Sequence, residues 1–114
     1  MRAGLASARI KNFTNLSNVR VLTSPSFDLS GNNVQKFMKF RYAYARLTTA
    51  ASSDQLRVLA SSDCGRTWIE LLKRNNTSTP KLSTIGDTPS DVVVGTFIPE
   101  PSQYRLDSLS LSSL

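Results

Sequence analysis

Residues 61–68 are the part of the chain whose residue types and spacing could indicate a chemical role. It reads S-x-D-x-G-x-T-W, a pattern called an Asp-box, and its defining residues are Ser61, Asp63, Gly65, Thr67 and Trp68. An aspartate in a turn accepts hydrogen bonds from backbone N–H groups further along the chain. A glycine can take positive φ without a Cβ clash, and the tryptophan ring can lie back over the core and pin a hairpin. We therefore predict a structural turn rather than a reactive centre.

The chain lacks the residues that most catalytic constellations need. It contains no histidine, and its one cysteine is Cys64. A Ser-His-Asp triad, a Cys-His pair, a zinc site of Cys and His ligands and an intrachain disulfide are therefore excluded within these 114 residues. Cys64 has no obvious activating base beside it, so we predict a small, partly buried side chain within the turn.

The acidic residues are scattered, and none forms the close pair that would suggest two-carboxylate glycoside hydrolysis. We therefore predict that the chain is not an enzyme and has no catalytic residues. A structural calcium ion is the one cofactor considered, because Ca²⁺ takes oxygen ligands from loops. Its candidate ligands are Asp28, Asp54 and Asp87, but no Asp-x-Asp spacing supports them. Solvated turn acids are the preferred interpretation, and no metal site is assigned.

The net charge of +6 is unevenly distributed. Residues 1–46 hold eight basic residues and one acid, whereas residues 47–114 hold six basic and seven acidic residues. A basic half favours an anionic partner. Four of its basic residues are nevertheless spaced along the strand-like segment 36–46, where such charges mark a solvated face. No cluster has the density of a nucleic-acid arm, so we predict no nucleic-acid binding.

The length fits one domain with one core, and 39% hydrophobic residues fit a modest core. No stretch approaches the roughly 20 apolar residues that a membrane-spanning helix needs. The first seven residues are not followed by the apolar segment of a signal peptide. The chain is then either cytoplasmic or an internal piece of a longer exported protein.

Alternation with period two dominates the hydrophobic pattern and predicts strands. In segment 36–46, the side chains of Met38, Phe40, Tyr42 and Tyr44 share one face. This spacing predicts the inner face of a half-buried strand rather than a platform for stacking sugars.

A second pair of segments predicts a hairpin across the 61–68 turn. Segment 54–60 places Leu56, Val58 and Ala60 inward, and segment 67–73 follows the turn. Residues 74–91 are polar, and this composition predicts a long loop. Further strands are predicted at 6–13, 18–23, 92–98 (with Gly95 as a bulge) and 103–111.

These short strands predict an all-β fold, an antiparallel β-sandwich of the jelly-roll type. We expect a single domain over residues 1–114. An alternating strand is still running where the sequence stops, and an unpaired edge there would favour aggregation. We therefore expect the domain to be truncated at one or both ends.

Five pieces of the sequence, taken in chain order, resemble the MAM-like jelly-roll domain of secreted Bacteroidota proteins. This domain is often called a choice-of-anchor domain, and its fold is galactose-binding-like. The pieces are residues 22–31, 40–45, 54–58, 61–68 and 101–111, and the resemblance covers residues 5–112. It implies a non-catalytic accessory domain beside a catalytic partner, in many members a zinc metallopeptidase. It also implies type IX secretion to the cell surface, and adhesive or carbohydrate-binding roles.

We accordingly expect a binding or spacing module of an exported surface protein, contacting neighbouring domains, polysaccharide or a surface protein. Loops 74–91 and 99–104 would carry specificity, because recognition is usually placed on loops. The candidate ligand-binding residues are Tyr104 and Arg105. Tyr104 stands where the family tends to have Trp, and we expect its side chain to be exposed.

Two alternatives remain open. The first is a blade of a sialidase-like Asp-box propeller in a glycan-processing protein, although propellers usually repeat the motif. The second is a small basic protein that binds an anionic polymer.

Overall fold

The fold is all-β. The computed structural model describes residues 7–10, 19–31, 34–46, 54–85, 93 and 95–114. Within these ranges there is no α-helix, and one short 3₁₀ turn covers Pro101–Gln103. The strands are β1 (Phe37–Tyr42), β2 (Leu56–Ala60), β3 (Ile69–Arg74) and β4 (Arg105–Ser110). They form two antiparallel two-stranded sheets, β1 with β4 and β2 with β3.

The β1–β4 sheet joins distant parts of the sequence. Phe37 lies opposite Ser110 and Tyr42 opposite Arg105, so the two strands pair over their whole length. The face that carries Phe40 and Tyr42 is the more buried one, as the alternation predicts. Their rings lie 5.9 Å apart between centroids. The strand is shorter than the predicted segment 36–46, because no strand is assigned after Tyr42.

The β2–β3 sheet is the predicted hairpin. Leu56, Val58 and Ala60 are half-buried and alternate with exposed residues. The register shifts between Val58 and Leu59, which is a β-bulge in the hairpin. The bulge expected at Gly95 is not found, because the described residues around it form no strand.

Three strand predictions are wrong over the parts that the structure describes. Residues 7–10, residues 19–23, and Val93 with residues 95–98 have no strand assignment. The first two segments are exposed throughout, and β-branched residues favour a strand only where a neighbouring surface takes up their side chains. In the third segment Val93, Gly95 and Phe97 are half-buried, but the described residues provide no partner strand for them.

The apolar core is small. Among the described residues, only Leu72, Leu82 and Leu109 are buried apolar side chains. Leu82 lies in the segment predicted as a polar loop, yet its side chain is 3% exposed. The loop prediction began one residue too early, because Arg74 still belongs to β3. Residues 75–85 have no strand, as predicted, but they fold back onto the β1–β4 sheet.

Backbone hydrogen bonds hold the 75–85 segment in place. The Leu82 N–H donates to the Asn75 carbonyl oxygen at 2.8 Å. The Thr84 N–H donates to the Tyr44 carbonyl oxygen at 2.9 Å, and the Tyr44 N–H donates to the Thr84 hydroxyl oxygen at 3.0 Å. The first of these bonds therefore closes the segment on itself directly after β3, and the other two attach it to Tyr44, which follows β1.

One ion pair connects the two sheets. Arg74, at the end of β3, donates from Nε to Asp107 Oδ2 at 3.2 Å and from Nη2 to Asp107 Oδ1 at 3.3 Å. The side chains are only 17% and 11% exposed. The hydrogen bonds to Asp107 raise the pKa of Arg74 above its ordinary value, so the guanidinium is charged at neutral pH.

We expect replacement of Asp107 by alanine to lower the free energy of unfolding by about 3 kcal/mol, because it leaves a largely buried guanidinium without its anion. Urea unfolding followed by circular dichroism measures the change. The matched control is Glu70→Ala, which breaks the pair between Arg57 and Glu70, whose side chains are 56% and 36% exposed. That change should cost less than about 1 kcal/mol. Equal losses in the two variants would contradict the role assigned to Asp107.

Candidate functional site

The 61–68 turn is organised around the carboxylate of Asp63. Its Oδ1 accepts the Thr67 N–H at 2.8 Å and the Ser61 hydroxyl at 2.7 Å. Its Oδ2 accepts the Thr67 hydroxyl at 2.6 Å. The Ser61 Oγ in turn accepts the Gly65 N–H at 2.8 Å. The structure thus brings Ser61, Asp63 and Thr67 together in one hydrogen-bond network that closes the β2–β3 hairpin.

The carboxylate is strongly stabilised in its charged form. The hydrogen bonds from the side chain and backbone of Thr67, followed by the one from Ser61, lower the pKa of Asp63 from 3.8 to about 2. Because its oxygens already accept hydrogen bonds from the turn, Asp63 acts as a backbone organiser rather than as an acid or base. Its donors are held within four residues of it, so the network is local.

Two residues of the turn need the left-handed backbone region. Gly65 has φ +87°, as predicted, and Cys64 has φ +59°. Cys64 is exposed, which corrects the expectation of a partly buried side chain. The inside of the turn is taken by the side chains of Ser61 and Asp63, so no space remains there for the thiol.

Trp68 packs on the turn and not over the core. Its side chain is 52% exposed. A Cβ built on Gly65 would lie 3.5 Å from the ring atom Cζ2, so the indole lies against the glycine backbone. The expectation that Trp68 covers the core is therefore wrong. The ring shields the turn from one side and leaves its other face open to solvent.

Tyr104 and Arg105 are half-buried, so the exposure expected of Tyr104 is not found. The Arg105 guanidinium donates to the Tyr42 hydroxyl at 3.1 Å, to the Ser83 carbonyl oxygen at 2.9 Å and to the Lys81 carbonyl oxygen. It also lies 5.8 Å from the centroid of the Tyr42 ring. Arg105 therefore fastens the 75–85 segment to the β1–β4 sheet.

The acidic residues considered as calcium ligands have different surroundings. Asp28 is exposed and accepts hydrogen bonds from Ser30, whereas Asp54 accepts one from the Tyr44 hydroxyl. Asp87 lies outside the described residues. Over the part of the chain that the structure describes, no three His, Cys, Asp or Glu side chains gather around a point where a metal ion would fit.

An apolar cleft lies between the segment before β1 and the β1–β4 sheet. Its volume is about 380 Å³. Among the described residues, it is lined by Phe27, Asp28, Leu29, Phe37, Met38 and Leu111. The sequence does not indicate this cleft. Its one local feature there is an aspartate flanked by apolar residues in S-F-D-L-S, which is also an ordinary turn sequence.

Lys36 fixes two walls of the cleft. Its backbone oxygen accepts the Leu111 N–H at 2.9 Å. Its side-chain ammonium donates to the Leu29 carbonyl oxygen and, at 3.2 Å, to the Gly31 carbonyl oxygen. One residue thus holds both the 27–31 turn and the end of β4 beside the start of β1.

Comparisons with protein-family models, with curated proteins and with solved structures found no match. No helix in the described ranges combines the length and the apolar character that crossing a membrane requires.

We expect the variant Thr67→Val to raise the pKa of Asp63 from about 2 toward 3.8, because it removes the hydroxyl donor. A depressed folded-state pKa adds stability above pH 3.8 that is lost as pH falls toward 2. As the pH falls from 3.8 to 2, the urea midpoint of the variant should therefore decrease by less than that of the wild type. Carbon-13 NMR titration of the carboxyl group measures the pKa, and Thr96→Val, at an exposed threonine, is the control. An unchanged Asp63 pKa would contradict this network.

We expect Arg105→Met to speed tryptic cleavage after Lys81 by about tenfold or more, since hydrogen bonds from charged groups contribute roughly 1.5–3 kcal/mol each. Mass spectrometry of timed digests measures the rate. Arg41→Met, at an exposed position on β1, is the control and should leave this rate unchanged. If both variants are cleaved at the wild-type rate, Arg105 does not hold the 75–85 segment.

Proposed function

We propose that this chain is a non-catalytic accessory module of an exported, cell-surface protein, built on a β-sandwich of the jelly-roll, MAM-like type. Its work is binding or spacing: it presents a neighbouring domain, or adheres to polysaccharide or to a surface protein outside the cell. The observation that carries the proposal is the amount of apolar side chain left on the surface of an all-β frame.

The exposed apolar side chains are concentrated before and at the start of β1. They include Val19, Val21, Leu22, Phe27 and Phe37. Covering such side chains on contact with another molecule is favourable, because it removes apolar surface from water. Exposed apolar side chains therefore fit a domain that contacts neighbours, and they add to the resemblance that the five pieces of sequence carry.

A non-catalytic role fits the way in which the charged groups are used. Asp63 is engaged by its own turn, Asp107 by Arg74, and the Arg105 guanidinium by backbone oxygens. These groups stabilise loops and join sheets. In the described residues, none of them forms the nucleophile-and-base pair from which covalent catalysis starts.

The propeller-blade alternative gains no support from the strand arrangement. A blade is a single four-stranded sheet, whereas the strands of the described residues form two separate two-stranded sheets.

A second candidate, binding to an anionic polymer, is favoured by one observation. Lys39 and Arg41 are exposed on the same face of β1. If they bind such a polymer, retention on dextran sulfate should fall steeply with salt, and the Lys39→Gln and Arg41→Gln double variant should elute earlier. Lys73→Gln, at an exposed position on β3, is the control.

The nucleotide sequence on both sides of the reading frame tests the main proposal. We expect an upstream catalytic domain, such as a zinc peptidase with His-Glu-x-x-His, and a downstream sorting domain. Surface labelling of intact cells should then modify the full-length protein. A promoter and a stop codon directly flanking the frame, with no surface labelling, would overturn the accessory-module proposal.

A further inference from the structure

The cleft beside β1 has the dimensions of a small-molecule site. Its volume of about 380 Å³ lies within the range of roughly 300–1,000 Å³ that such sites occupy. Its walls come from the 27–29 segment, the first two residues of β1 and Leu111 after β4. Lys36 is hydrogen-bonded to both sides of the cleft, through its backbone oxygen to Leu111 and through its ammonium to Gly31.

The lining combines aromatic rings with a single charge. Phe27 and Phe37 line the cleft, and both side chains are more than half exposed. Met38, Leu29 and Leu111 add apolar surface. Of the described residues that line the cleft, Asp28 alone has a polar side chain. A ligand therefore meets a mostly apolar wall and one carboxylate.

The carboxylate is held in place with lone pairs left over. Asp28 Oδ1 accepts the Ser30 N–H at 2.8 Å and the Ser30 hydroxyl at 2.5 Å. These two hydrogen bonds, with a smaller contribution from the charge of Lys36, lower the pKa of Asp28, so it is ionised at neutral pH. Lys36 directs its ammonium to the carbonyl oxygens of Leu29 and Gly31 and is not part of the lining.

We propose that this cleft binds a small organic cation, an ammonium group carried on an apolar body, with Asp28 as its counter-ion and Phe27 and Phe37 as its aromatic walls. A cation is attracted both by a carboxylate and by the face of an aromatic ring. An anion would be repelled by Asp28. A polyhydroxylated ligand needs several polar partners, and the described lining offers one. The inference goes beyond the proposed function and holds whatever the parent protein does.

A matched series of three probes tests the proposal on the nitrogen-15-labelled full chain by NMR. The probes are 3-phenylpropylamine, 3-phenylpropan-1-ol and 3-phenylpropanoate, which share an apolar body and differ in charge. We expect shifts of the amide signals of residues 27–29, 37, 38 and 111. The amine should bind about threefold more tightly than the alcohol, in line with an exposed ion pair, and the carboxylate should bind most weakly.

Two variants identify the groups responsible. Asp28→Asn keeps an oxygen that can accept the Ser30 N–H, so the turn is retained; it should remove the advantage of the amine over the alcohol. Phe37→Leu should weaken the amine more than the alcohol, because it removes an aromatic face that attracts only the charged ligand. Glu70→Gln, which removes an exposed carboxylate on the hairpin, is the control and should change nothing.

Equal affinities of the amine and the alcohol, or an Asp28→Asn variant that still prefers the amine, would overturn the assignment of a cation site. Shifts confined to residues outside the cleft, or no shifts with any probe, would also overturn it. Any of these results leaves the accessory-module proposal standing, because that proposal is tested by the flanking sequence.

Discussion

The ion pair between Arg74 and Asp107 is the interaction on which the rest of the arrangement depends. The hairpin of β2 and β3 is local in sequence, whereas β1 and β4 come from distant segments. Arg74 and Asp107 lie at the place where β3 approaches β4, and their two hydrogen bonds fix both the distance and the orientation between the sheets. An arginine fork and a carboxylate are both planar, so a bidentate pair specifies geometry as well as energy.

A small apolar core makes such polar fastening necessary. In the part of the chain that the structure describes, the buried apolar side chains are those of Leu72, Leu82 and Leu109, and at about 25 cal/mol per Å² the hydrophobic contribution scales with the area they bury. Arg105 adds a second polar connection, since its guanidinium binds two carbonyl oxygens of the 75–85 segment. Each of these groups is saturated by partners inside the molecule, which is why they contribute to stability and have little capacity left for a ligand.

Local features could be predicted from the sequence, and features that depend on distant contacts could not. The hairpin and the network around Asp63 involve residues close in sequence, so spacing alone indicates them. The role of Arg105 arises only when residues more than 20 positions apart meet. The predicted strand at 18–23 was wrong over its described part because alternation records a capacity for pairing, and pairing also needs a partner strand. The cleft could not be predicted for a related reason, because Asp28 and Leu111 are far apart in sequence and line it together only in the folded chain.

The distribution of polar and apolar groups separates the parts of the surface by role. The 61–68 turn and the junction of the sheets use their charges internally. The region before β1 does the opposite, because it exposes large apolar side chains and holds one carboxylate with free lone pairs beside two aromatic rings. Keeping apolar side chains in water lowers the stability of an isolated domain, and a contact that covers them recovers that free energy. A ligand or neighbour that occupies this region would therefore stabilise the fold as it binds. Lys36 lies at this place, next to the start of β1 and hydrogen-bonded to Leu111 after β4.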